Sequence, residues 1–171
     1  MSRLTPLSAE TMPEEQRKVY EDIAANQRGG VRGPFNAWVR SPELAARLRG
    51  LIDFLSHRTS LPGSVRELAV LMVVREWKAD YAWKAHEALA LQSGLPAEAV
   101  AAVAAGRRPG ALGPAEAAVY DLVEGLLARR EAEEAAYRAA VFHLGEKGVA
   151  ELTALIGFYV MVSAAVRVFD I

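Results

Sequence analysis

Apolar positions recur along this chain at three- and four-residue spacing, and no segment sustains the period-two alternation of a half-buried strand. The pattern predicts an all-α protein of about eight helices in a single domain. Thr11-x-x-Glu14 reads as a capping box with Pro13 in the first turn, opening a helix that reaches about Asn26. Gly29, Gly30, Gly33 and Pro34 then break the pattern, which makes 27–34 a loop. Ser41 as cap and Pro42 as first helical residue start a second helix with the stripe Leu44, Leu48, Leu51, Ile52 and Leu55. After the break at 60–64, helices are expected over 67–78, over 80–93 (closed by Gly94) and over an alanine-rich 96–105 ended by Gly106. Arg107 and Arg108 read as a solvated pair in the following loop. Helices over 114–130, 131–144 and 148–169 complete the count, and no fixed-period repeat is present.

Composition narrows the function classes. With 171 residues, 52% hydrophobic and 24% charged, the chain has enough apolar surface for a real core. Its net charge of -1 argues against a nucleic-acid partner, which would call for a basic excess. Cysteine is absent, which removes disulfides, thiolate metal sites and every cysteine nucleophile. The three histidines, His57, His86 and His143, include no i, i+4 pair, so neither a metal centre nor another cofactor is expected. The run 152–166 carries no charge over 15 residues, short of the roughly 18 to 20 that span a bilayer. It reads as a helix buried on all sides. With no apolar leader-like segment near the N-terminus, the expectation is a cytoplasmic protein without a membrane partner.

Chemistry-bearing residues concentrate between Glu67 and Glu87, ELAVLMVVREWKADYAWKAHE. On a helix, Ala79, Ala82 and His86 share one face at i, i+3 and i+7, so the histidine looks out over two methyl groups. Tyr81 and Trp83 flank that gap. Glu67 has two structural readings: the third residue of a capping box with Ser64, or a deeper position needing another partner if Ser60 caps with Pro62 in the first turn. A lone histidine beside Leu89 and Ala90 has a bland reading too, as a satisfied core residue. Tyr81 and Trp83 equally suit simple packing.

The spacing resembles that of the carboxymuconolactone decarboxylase and alkyl-hydroperoxidase D-like (AhpD-like) family. There a glutamate precedes Cys-x-x-Cys by about twelve residues, and a histidine follows the second cysteine by four. Here the glutamate register falls on Glu67, the cysteines on Ala79 and Ala82, and the histidine on His86. Cysteine-free members often carry Tyr-Glu-Trp-x-x-His, and this chain has Tyr81-Ala82-Trp83-Lys84-Ala85-His86. The segment 29–43 also looks like theirs, and the likeness extends over about 14–165. The resemblance implies an AhpD-like helical domain and a lyase acting on a small carboxylated lactone or related carboxylic acid. His86 would be the general acid/base and Glu67 its orienting partner, within hydrogen-bond reach at the wall of a pocket lined by Tyr81 or Trp83. Arg32 and Asn36 are further candidates for holding substrate, and Arg58, Arg66 and Arg75 are alternative carboxylate partners. Arg32 gains from its glycine-rich surroundings. His57 and His143 fall near helix C-termini and read as structural.

The thiol peroxidase chemistry of the family's other branch is unavailable without a thiolate. The alternative from another class is a non-catalytic oligomeric binding protein on the same fold. The resemblance implies a homo-oligomer, a trimer or a hexamer. An uncharged helix over 152–166 gives an independent reason, because its neighbours also need cover.

Overall fold

The computed structural model describes residues 2–8, 10–26 and 30–171. Among them lie eight helices and no strand: α1 (Glu14–Asn26), α2 (Phe35–Trp38), α3 (Pro42–His57), α4 (Gly63–Glu76), α5 (Asp80–Gln92), α6 (Ala97–Ala104), α7 (Pro114–Arg129) and α8 (Glu134–Phe169). The chain divides into two compact units, residues 1–58 with 164–171, and residues 59–163.

In the first unit α3 packs against α1 and α2. Ile23, Phe35, Trp38, Val39, Leu48 and Leu55 are buried there, Phe35 meeting Trp38 edge-to-face at 5.2 Å. Arg49 pairs with Asp22 at 3.0 Å, joining α3 to α1, and the Arg3 amide donates to the Phe169 carbonyl at 2.9 Å. Several local expectations are corrected. Thr11 does not cap α1: its hydroxyl donates back to the Ser8 carbonyl, and the helix starts only at Glu14. Ser41 occupies the N-cap position of α3 with Pro42 behind it, yet its hydroxyl makes no capping bond. Leu44 and Leu51, assigned to the buried stripe, are exposed, and Ala45 takes up buried face instead. The four-residue α2 has too few turns for a periodic signal. Of the predicted loop, 27–29 lie outside the described residues.

The second unit is built around α4, which packs against α5, α6 and α7. Every residue from Glu67 to Val74 is buried, so α4 has no solvent face over two turns. It begins at Gly63, earlier than the sequence pattern suggests, and neither serine caps it. Ser64 donates to Glu116 on α7 at 2.5 Å. Ser60 gives both its amide and its hydroxyl to Glu151 on α8, at 2.6 and 2.7 Å. Those two bonds hold the Glu151 carboxyl below the ordinary glutamate range.

The two helices expected at the C-terminal end run on as one, with a single break at Gly145 (φ 69°, ψ 168°) and no gap. Few residues other than glycine adopt that backbone conformation. By length and composition α8 is long and apolar enough to cross a membrane, but 61% of its most apolar window is buried within the chain. It is not covered all round: Thr153, Ala154 and Gly157 are exposed. Arg107 and Arg108 are both exposed in the loop after α6, and Arg108 also pairs with Asp121 and lies 5.0 Å from the centre of the Tyr120 ring.

Candidate active site

A three-residue turn makes the site. The Lys78 amide bonds the Arg75 carbonyl and the Ala79 amide bonds that of Val74, the double closure of a Schellman motif. Lys78 takes the left-handed position usual for glycine (φ 52°), and Ala79 then caps α5. Glu67 lies about 14 Å before the end of α4 and His86 about 9 Å after the start of α5, at a rise of roughly 1.5 Å per residue. A turn this tight brings the two to similar height on neighbouring helices.

Glu67 Oε2 lies 2.7 Å from His86 Nδ1. Arg66 Nε donates to the other carboxylate oxygen at 3.1 Å, and only 5% of the Glu67 side chain is exposed. Buried carboxylates need such partners, because desolvation alone disfavours their charge. His86 occupies the buried stripe of α5 between Ala82 and Ala90, with 15% of its side chain exposed. Its second ring nitrogen, Nε2, lies 2.9 Å from the hydroxyl of Tyr159 on α8, the two rings standing nearly perpendicular at 87°. Burial, and then the Glu67 charge, push the Tyr159 phenol above its ordinary value.

The sequence placed Glu67 and His86 together but missed Tyr159. It stands in the uncharged run 152–166, where it reads as one more apolar side chain. The available signal was chemical: a phenol in a buried helix needs a hydrogen-bond partner.

The other predicted residues are distributed more widely. Trp83 is half-buried and lines an open cleft of about 520 Å³ with Arg75, Glu76, Lys78 and Asp80. Neither Glu67 nor His86 lines that cleft, so the expected histidine wall is not the cleft's wall. Tyr81 is exposed on α5. Arg32, exposed, and Asn36, half-buried in α2, belong to the first unit. Arg58 pairs with Asp53 at 2.8 Å, and the Arg75 guanidinium packs against Gly106, where a Cβ would clash. His57 pairs with Asp53 at 3.5 Å and His143 meets Phe142 edge-on at 5.0 Å, all four side chains being exposed. Among the described residues no three His, Asp or Glu side chains gather as a metal site.

An all-helical unit with a glutamate-held histidine at this register defines the class of protein. Residues 42–125 match the Carboxymuconolactone decarboxylase family, which is what this part of the chain is similar to. The match spans α3 to most of α7, taking in Glu67, Ala79, Ala82 and His86 but not Tyr159. Comparison with curated proteins returned no match.

Proposed function

We propose that the protein is a decarboxylase-like lyase acting on a small carboxylated lactone or related carboxylic acid, with His86 moving the proton. The observation that carries this reading is the 2.7 Å hydrogen bond between buried Glu67 and His86 Nδ1. Decarboxylation breaks a carbon–carbon bond and leaves its electron pair on the remaining molecule as an enolate. A charged imidazole gives that carbon a proton, and Glu67 opposite Nδ1 orients the ring. Screening carboxylated lactones and β-keto acids for carbon dioxide release, with His86→Ala as control, tests the proposal. Release that survives His86→Ala refutes the assigned role.

One observation favours a second reading, a non-catalytic binding protein: both ring nitrogens of His86 are already engaged. In that case no acid of the screen is turned over, and Glu67→Gln affects stability alone.

We further propose that the chain assembles as a trimer or hexamer. Support comes from the open face of α8, where Thr153, Gly157 and Val160 border an apolar groove of about 390 Å³ with Trp77 and Leu126. Light scattering at micromolar concentration tests this, and a clean 18.5 kDa species refutes it.

A further inference from the structure

Both nitrogens of His86 are engaged from within the unit formed by residues 59–163, Nδ1 by Glu67 at 2.7 Å and Nε2 by Tyr159 at 2.9 Å. Arg66 Nε donates to one Glu67 oxygen and His86 Nδ1 faces the other, and a carboxylate paired with a guanidinium can only accept. Nδ1 is therefore a donor whether the ring is neutral or charged. The proton that comes and goes does so on Nε2, and Tyr159 faces that atom. Its raised phenol keeps its own proton throughout the range in which an imidazole changes charge. A neutral hydroxyl both donates and accepts. It donates to bare Nε2 when the ring is neutral, and accepts from Nε2–H when the ring is charged.

We infer that Tyr159 is a positioning residue for His86: by turning its hydroxyl over, it satisfies Nε2 in both charge states and keeps that nitrogen as the site of proton exchange. The residue is 6% exposed, so bulk water does not readily substitute for it. A phenylalanine would fill the same space and do neither job. A lysine could only donate and a carboxylate could only accept. The catalytic meaning of this device rests on the proposal that His86 moves a proton. The hydrogen-bond device itself does not.

The test uses the full chain with ¹⁵N-labelled histidine and needs no substrate. Long-range proton–nitrogen spectra of the wild type are expected to give one neutral His86 tautomer, with the proton on Nδ1 and Nε2 bare. Diethyl pyrocarbonate, which acylates unprotonated imidazole nitrogens, is expected to modify His86 about tenfold faster in Tyr159→Phe, once the hydrogen bond to Nε2 is gone. His57, with 73% of its side chain exposed, and exposed His143 serve as internal controls whose rates do not change. A neutral wild-type ring with its proton on Nε2, or an unchanged His86 rate in the variant, overturns the inference. Should Tyr159→Phe fail to fold, the wild-type tautomer alone decides. A screen without carbon dioxide release would count against the lyase reading and leave these two readouts untouched.

Discussion

Helices α4 and α8 each supply one partner to His86, Glu67 from the first and Tyr159 from the second. They are embedded differently. In α4 every residue from Glu67 to Val74 is buried, whereas α8 buries Leu152, Leu155, Phe158, Tyr159 and Val162 and leaves Thr153, Ala154 and Gly157 open. The sequence pattern singled out the uncharged run of α8 as the helix buried on all sides and said nothing of the burial of α4, which carries Arg66, Glu67, Arg75 and Glu76. Net apolarity is a poor guide to which helix is central. A charged residue is compatible with full burial where its partner is built in, and an uncharged helix can keep a face of small residues open.

The contrast breaks most easily in α4. Leu71→Ala, at a fully buried position, is expected to cost about 2–5 kcal/mol in denaturant unfolding. A loss under about 1 kcal/mol would mean that α4 is not the close-packed centre. Next comes the break in α8: Gly145→Ala puts a Cβ on a backbone with φ 69° and ψ 168°, at about 1–3 kcal/mol. An unchanged midpoint would mean that the two arms join by some other geometry.

A smaller effect probes how α8 holds the approach to α4. Glu151 is lowered by its bonds from Ser60, so it binds its proton less readily folded than unfolded. Its contribution is therefore present above the unfolded value of about 4.3 and is lost as pH falls through the lower folded value. Thermal unfolding followed from pH 7 to pH 3 is expected to decline less steeply in Glu151→Gln than in the wild type. Parallel curves would contradict the clamp. The least effect belongs to the outer arm of α8. Phe142 is 83% exposed, and Phe142→Ser is expected to stay within about 0.5 kcal/mol of the wild type by the same unfolding measurement.

What was legible in the sequence follows the physics of each signal. The helices of the second unit were readable because glycine and proline punctuate them: Gly94 and Gly106 take positive φ just past α5 and α6. The Glu67–His86 pair was legible through the register of the family that the sequence resembles, and two helices and one short turn are what hold that register in space. Tyr159 was not, since 73 residues separate it from His86 and only packing brings them together. The capping serines misled for a related reason. Ser60 and Ser64 spend their hydroxyls on Glu151 and Glu116, partners distant in sequence, and no local pattern encodes that choice.

The central claim is that His86 moves a proton under the control of Glu67. Steady-state carbon dioxide release from a turned-over acid, compared between wild type and His86→Gln, tests it most directly. Glutamine keeps the volume and a hydrogen-bonding amide but cannot exchange a proton in this range. The account predicts a fall in kcat of roughly 10²–10⁴-fold, with KM little changed. Equal kcat in the two proteins would contradict it.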